Sequence, residues 1–112
     1  MKLHQIRYLV AVEAQGSIRA AARALGLTPA TVTQGLRELE ADCGLSLFDR
    51  SGGALALNAA GRDLLAHAQR IVQQLQQAEA DIALHRQRGA VERLSLGITP
   101  WVAQAQIGRA HV

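Results

Sequence analysis

The chain has 112 residues, which is enough for one small domain with an appendage but not for two full-sized domains. Hydrophobic residues make up 49% of the chain and aromatic residues only 3%, a balance that excludes a disordered chain and favours helices. The net charge of +3 permits a nucleic-acid partner without requiring one, because a mild basic excess is common among proteins of many functions.

Several functional classes lack their sequence signatures. A single cysteine, Cys43, excludes an intrachain disulfide and a thiolate metal cluster built by one chain. No signal peptide is recognisable, and no window approaches about 18 consecutive apolar residues. The four histidines are scattered, and no Ser-His-acid, metal or phosphate-loop constellation appears. We therefore expect a cytoplasmic protein that is not an enzyme and that binds no cofactor within this fragment.

Two helices are predicted at the start of the chain. Apolar residues recur at three- and four-residue steps over residues 3–15, and Gly16 follows them. Ser17 is a good N-cap for a short second helix over residues 18–25. Gly26 then supplies the left-handed residue that commonly ends a helix.

A third helix follows after one intervening leucine. Thr28 offers an N-cap hydroxyl, and Pro29 suits the first helical position, where its missing N–H costs nothing. The helix is predicted to run to about Cys43, with Gly44 ending it. Its predicted buried positions are Val32, Leu36 and Leu39. The second and third helices, joined by this short turn, form a helix-turn-helix candidate.

Beyond Gly44 the hydrophobic period changes from helical to alternating. Leucines alternate with small or polar residues on both sides of residues 51–53, which predicts a two-stranded hairpin, or wing. These leucines are Leu45, Leu47, Leu55 and Leu57. Asn58 can cap a final helix from Ala59 to about Arg88, which Gly89 is expected to end. The predicted fold is mostly α, a winged helix-turn-helix of three helices and a two-stranded wing, followed by a long helix.

The long helix carries a stripe of apolar residues spaced four, three, four, three and four. The stripe consists of Leu64, Ala68, Ile71, Leu75, Ala78 and Ile82. Such spacing is typical of paired helices. The helix could instead lie against its own domain, but the first three helices and the wing look too small to cover six positions. We therefore predict a dimerisation helix over residues 59–89.

In its order of parts the chain resembles the LysR-type transcriptional regulators, over residues 1 to about 98. The matching residues are Leu3, Tyr8, Gly16, Ser17, Ala21, Ala22, Leu25, Thr28, Pro29, Val32, Thr33, Gln34, Leu36, Leu39, Glu40, Gly44, Leu47, Phe48, Asp49, Arg50 and Gly61. From their physical character, Ala21 and Ala22 are predicted to lie where two helices cross closely, and Phe48 to be core beneath the hairpin.

The resemblance implies that the third helix lies in the DNA major groove and that the wing approaches the backbone or minor groove. It assigns the DNA-facing surface to Thr28, Ala30, Thr31, Thr33, Gln34 and Arg37, and Arg50 is a further DNA-binding candidate. Those on the third helix are also the positions that remain once its buried face is set aside. Gln34 can bond bidentately to adenine, Thr33 can bond to a base or a phosphate, and Arg37 can reach a phosphate.

The basic residues around this surface leave alternatives open. Arg50 is either a phosphate contact or the partner of Glu40 or Asp42. Family wings often carry further basic residues, whereas residues 51–57 have none, so we expect weaker and less wing-dependent DNA binding. Weaker phosphate candidates are Arg7, Arg19 and Arg23.

The leading functional hypothesis is a sequence-specific transcriptional regulator that binds double-stranded DNA as a homodimer. At full length, the missing domain could raise this dimer to a tetramer. The alternative is a coiled-coil fragment that pairs with full-length relatives without reading DNA itself. Charge reversal at Arg37 with loss of Gln34 would abolish the first activity and spare the second.

The C-terminal part is expected to be a fragment. Relatives carry a large ligand-sensing domain after the linker helix, whereas residues 90–106 would supply only its first strand, at residues 94–98. A small-molecule inducer is expected for that missing domain. Residues 107–112 correspond to the codons ATC GGA AGA GCA CAC GTC, which match a widely used sequencing adapter. We therefore expect these six residues to be a non-native tail.

Overall fold

The computed structural model describes residues 1–49 and 55–95. In chain order the elements are α1 (Leu3–Gln15), α2 (Ile18–Leu25), α3 (Pro29–Cys43), β1 (Phe48–Asp49), β2 (Ala56–Leu57) and α4 (Ala59–Ser95). The predicted architecture of three helices, a two-stranded wing and a long helix is confirmed. The described residues divide into two compact units, one up to residue 74 and one from residue 75 onward.

Local capping signals set the limits of the first three helices. The Ser17 hydroxyl accepts a hydrogen bond from the backbone N–H of Ala20 at 3.0 Å, and that of Thr28 accepts one from Thr31 at 3.2 Å. The residues that follow the three helices are left-handed glycines, Gly16, Gly26 and Gly44, with φ between +70° and +85°. These conformations confirm the predicted bounds, because each end is decided by residues adjacent in sequence.

The core lies where α1, α2 and α3 pack together, with residues from the wing and α4 beneath them. Its buried hydrophobic members are Ile6, Leu9, Val12, Ala21, Ala22, Val32, Leu36, Leu39, Leu47, Phe48 and Ala68. The small side chains of Ala21 and Ala22 allow a close helix crossing, and Phe48 is buried under the hairpin. Both predicted roles are confirmed.

Polar contacts connect the start of α1 with the end of α3. The buried Gln5 side chain accepts a hydrogen bond from the backbone N–H of Lys2 at 2.8 Å. The Met1 amine lies 3.2 Å from the Asp42 carboxylate. Hydrogen bonds from that amine and from Gln5 lower the pKa of Asp42 below its ordinary value of 3.8. This interaction therefore stabilises the folded chain at neutral pH, and its contribution disappears as the pH falls and the Asp42 carboxylate is protonated.

The wing begins later than the leucine alternation predicts. Strand pairing starts at Phe48, which lies opposite Leu57 in an antiparallel register. Leu45 is 51% exposed and precedes the strand, so its assignment to the hairpin is wrong. Leu47 is buried, but its N–H bonds to the Glu40 carboxylate at 2.8 Å rather than to the opposite strand. Of the four alternating leucines, only Leu57 lies within a strand.

The first turn of α4 sits directly against the wing. The Asn58 side chain accepts from the N–H of Gly61 at 2.8 Å and donates to the Ser46 carbonyl at 2.7 Å, which confirms the predicted cap. A Cβ at Gly61 would collide with the Leu47 carbonyl oxygen and would lie 2.7 Å from the Leu57 side chain. The absence of a side chain at Gly61 is therefore what lets the helix and the wing approach.

The next turns of α4 belong to the same core. Ala68 is fully buried, and Leu64, Leu65 and Val72 pack against the core. The compact unit consequently extends to residue 74 rather than ending at the predicted boundary of 58. Ala68 has no exposed surface to offer a partner, so its assignment to the dimerisation stripe is wrong.

The other residues of the predicted stripe differ in how far they are buried. Leu64 is half-buried against the core of its own chain but keeps exposed surface, so its place in the stripe stays a prediction. Ile71 is 43% exposed and Ile82 is 51% exposed. Leu75 is half-buried, and Ala78 is exposed. These last four residues stay predicted contacts of a second copy.

Gly89 does not end α4, which continues to Ser95. A glycine stops a helix when it adopts the left-handed conformation, and Gly89 is absent from the described glycines with positive φ. In a right-handed helix it costs only about 1 kcal/mol relative to alanine, which the flanking residues can offset. The predicted strand over 94–98 is wrong at Leu94 and Ser95, which are helical, and its remainder lies outside the described residues, as does the predicted tail.

Replacing Gly61 with alanine should destabilise the domain by about 1–3 kcal/mol, because the new Cβ meets the backbone carbonyl of Leu47, which cannot move freely. Gly89→Ala is the matched control, since its Cβ would meet nothing closer than the Arg93 guanidinium at 3.4 Å. Urea unfolding followed by circular dichroism measures both. Equal midpoints for Gly61→Ala and the unsubstituted chain would contradict the close approach.

Candidate nucleic-acid interface

The two faces of α3 differ in character. Its buried residues are Val32, Gly35, Leu36 and Leu39. Its exposed or cap residues include five of the predicted site residues, namely Thr28, Ala30, Thr31, Gln34 and Arg37. Thr33 is half-buried and so offers less surface than expected. The structure therefore brings the predicted residues of this helix together on one polar, convex surface, which we call the outer face of α3.

At the start of α3 two hydroxyl groups bond to each other. Thr28 Oγ1 and Thr31 Oγ1 are 2.9 Å apart, and Thr28 Oγ1 also accepts from the Thr31 N–H. Thr28 is therefore primarily a helix cap. Pro29 has no N–H, and the Thr31 N–H is bonded to Thr28. The Ala30 N–H and the positive end of the helix dipole are therefore what favour a negatively charged group near this turn.

One helical turn further on, the Gln34 amide is oriented by a carboxylate. Gln34 Nε2 donates to Glu38 Oε1 at 3.2 Å, and both side chains are exposed. This bond directs the nitrogen of the amide toward the C-terminal end of α3 and leaves its oxygen available. Glu38 is absent from the predicted site residues, although its spacing of four from Gln34 is a signal that could have identified it.

A groove runs between α1 and α3 beside this outer face. It is lined by His4, Tyr8, Ala30, Thr31, Gln34, Gly35 and Glu38. The ring centroids of His4 and Tyr8 lie 5.4 Å apart in an edge-to-face arrangement. A Cβ at Gly35 would collide with the Tyr8 ring, so this glycine allows α1 to approach α3. No sequence signal identified the α1 side of this groove, because the contact is long-range.

The wing is connected to α3 by Glu40. The Glu40 carboxylate accepts from the Leu47 N–H at 2.8 Å and from the Ser46 hydroxyl at 3.0 Å. A second groove lies alongside, lined by Arg37, Glu40, Ala41, Leu45, Ser46, Phe48 and Asp49. Glu40 therefore positions the wing relative to the outer face of α3.

The predicted wing contact falls outside the residues that the structure describes. Arg50 and the turn at residues 51–54 lie there, so the phosphate contact and the pairing alternatives for Arg50 both stay predictions. Its two suggested partners are already engaged, Glu40 with the wing backbone and Asp42 with the N-terminal amine. The weaker phosphate candidates Arg7, Arg19 and Arg23 are exposed on α1 and α2.

Neither a metal site nor a membrane-spanning helix is found in the described ranges 1–49 and 55–95. No cluster of three or more His, Cys, Asp or Glu side chains there could hold a metal ion. No helix in this part of the chain is long and apolar enough to cross a bilayer.

Three packed helices, a polar outer face on the third and an antiparallel hairpin define a winged helix-turn-helix protein. Residues 3–62 match the family model described as bacterial regulatory helix-turn-helix protein, lysR family. The chain belongs to this family, and the resemblance seen in the sequence is confirmed.

Similar proteins include two named transcriptional regulators. The chain is 40% identical over 91 residues to the HTH-type transcriptional regulator CbbR of Xanthobacter flavus, covering 80% of this chain and 27% of CbbR. It is 39% identical over 72 residues to ClcR of Pseudomonas putida, covering 64% of this chain and 24% of ClcR. The chain thus spans about a quarter of the length of these curated relatives.

Solved structures show the same fold. The DNA-binding domain of CbnR in complex with DNA matches with a TM-score of 0.64 and 32% identity, covering 76% of this chain and 98% of that one. CbnR itself, a LysR family transcriptional regulator, matches with a TM-score of 0.66 and 35% identity, covering 80% of this chain and 30% of that one. The described fold therefore corresponds to nearly all of a domain crystallised with DNA.

Removing the Glu40 carboxylate should release the wing from α3. Glu40→Ala is expected to lower the free energy of unfolding by about 1–3 kcal/mol, because the N–H of buried Leu47 loses its acceptor. Glu40→Gln retains an acceptor oxygen and should lose less. Urea titration measures both variants, with Glu13→Ala on α1 as the exposed-carboxylate control. Equal losses in Glu40→Ala and Glu13→Ala would show that the wing is held by other contacts.

Proposed function

We propose that this chain is the DNA-binding part of a transcriptional regulator, and that it binds double-stranded DNA sequence-specifically as a homodimer. The outer face of α3 is the observation that carries this proposal. Its exposed hydrogen-bonding side chains stand on a convex helix, and a B-DNA major groove about 12 Å wide admits such a helix. The match to a domain crystallised with DNA supports DNA binding by this fold.

Sequence is read in this proposal by the side chains that project from α3. Gln34 can accept from adenine N6 and donate to N7, since one of its two N–H groups is still available beside the bond to Glu38. Thr31 and Thr33 can donate to or accept from base edges or phosphates. A good bidentate contact discriminates between bases by about 1–3 kcal/mol.

Positioning on the duplex is assigned to the basic residues and to the start of α3. Arg37 is exposed one turn beyond Thr33 and can reach a phosphate. Arg19 and Arg23 offer further phosphate contacts from α2. The free N–H of Ala30, in the first turn of α3, can contact the DNA backbone as well. Phosphate contacts of this kind fix orientation but carry no sequence information.

Dimerisation is assigned to the exposed apolar residues of α4. Ile71, Leu75, Ala78 and Ile82 keep the spacing of four, three and four that is typical of paired helices. Two paired copies would present two outer faces to two half-sites of an inverted repeat. The alternative, a fragment that only pairs with longer relatives, is not favoured, because it gives no role to the polar outer face of α3.

Selection of the 112-residue chain against randomised duplexes tests the reading of DNA. We expect an enriched inverted repeat, and Gln34→Ala should reduce the preference for its best sequence about tenfold. Gln77→Ala is a matched control, since Gln77 is also exposed and donates to Asp81 four residues later, at 3.0 Å. Equal preference in both variants, or no enriched sequence at all, would refute the proposed reading.

Substitution on α4 tests the dimer. Ile82→Lys should raise the dimer dissociation constant at least about tenfold, because it places a charge in an apolar seam. Leu84→Lys is the control, since Leu84 is 50% exposed, like Ile82 at 51%, but lies off the predicted stripe. Sedimentation equilibrium measures both. If the two variants dissociate equally, the dimer is not formed along this stripe.

A further inference from the structure

Gln34 and Glu38 form a hydrogen-bonded pair on the outer face of α3. The two side chains are exposed, one helical turn apart, and joined by a bond of 3.2 Å. Glu38 also lines the same groove as Ala30, Thr31 and Gln34. A carboxylate thus stands within the surface that a base edge would meet, where a negative charge is costly beside DNA phosphates unless it finds a donor.

We propose that Glu38 is a second specificity-determining residue, which accepts a hydrogen bond from the exocyclic amino group of adenine or cytosine in the major groove. This inference rests on the proposed function. Gln34 and Glu38 would then read DNA together. The Glu38 carboxylate accepts one hydrogen bond from the Gln34 amide and a second one from a base.

The chemistry of an ionised carboxylate decides which bases it can tolerate. It accepts hydrogen bonds and donates none. In the major groove, adenine and cytosine present an amino donor, whereas guanine O6 and thymine O4 are acceptors. Glu38 would therefore favour the two amino bases and repel the two keto bases at the position that it contacts.

The spacing limits where that position lies. Four residues correspond to about 6 Å along a helix axis, and stacked bases are about 3.4 Å apart along one strand. The base read by Glu38 is therefore expected within about two base pairs of the base read by Gln34. The bond between the two side chains keeps their separation nearly constant, so the two positions should be linked in the preferred sequence.

The same carboxylate weakens binding that ignores sequence. Its charge opposes the approach of any phosphate backbone, and that penalty is offset only where an amino group lies opposite it. Removing the charge should therefore increase affinity for arbitrary duplexes and decrease discrimination together. A purely structural role for Glu38 would not produce this combination.

The experiment repeats the duplex selection with the 112-residue chain carrying Glu38→Ala or Glu38→Gln. Glu38→Ala should reduce the preference for amino over keto bases at one position about tenfold. Glu38→Gln should admit guanine or thymine there, because the amide can also donate to their oxygens. Asp81→Ala is the matched control, since it removes the carboxylate of the equivalent pair on α4.

The outcomes separate this inference from the proposed function. If the unsubstituted chain enriches a sequence and Glu38→Ala leaves that sequence unchanged, the inference is wrong and the proposed function stands. An affinity gain for all duplexes equal to that of Asp81→Ala, without altered base preference, also overturns it. If the unsubstituted chain enriches no sequence, the proposed function itself fails and the inference fails with it.

Discussion

The position of Leu47 is the constraint on which the rest of the domain depends. Its side chain is buried, its N–H bonds to Glu40 on α3, and its carbonyl accepts from the N–H of Asn58 at 3.0 Å. The same carbonyl faces Gly61 so closely that no side chain fits there. One residue therefore joins α3, the wing and α4, and each polar group of its backbone is satisfied as burial requires.

With α3 held in this way, one side of the helix packs in the core while the outer face stays exposed. Val32, Leu36 and Leu39 supply the burial that holds the helix, so the residues between them need contribute nothing to the core. Gly35 completes the arrangement, because its missing side chain gives the Tyr8 ring room against α3. The outer face of α3 is consequently a rigid surface on a packed scaffold, which is the arrangement that base recognition requires.

The apolar residues of α4 illustrate a limit of pattern reasoning. Ala68 and Ile82 belong to one evenly spaced stripe, yet the first is fully buried in its own domain and the second is 51% exposed. An α-helix drifts by about 20° per heptad relative to a 3.5-residue repeat, so one stripe can serve the core at one end and a partner at the other. Spacing shows that a face is apolar and cannot show what covers it.

By itself, the sequence determined the parts of this protein that depend on neighbouring residues. The bounds of α1, α2 and α3 follow from Ser17, Thr28 and three left-handed glycines, because caps act within about four residues. Only the tertiary structure decided the burial of Ala68 and the groove that includes Glu38. These features depend on contacts between distant segments, and a periodic pattern contains no information about which distant segment it will meet.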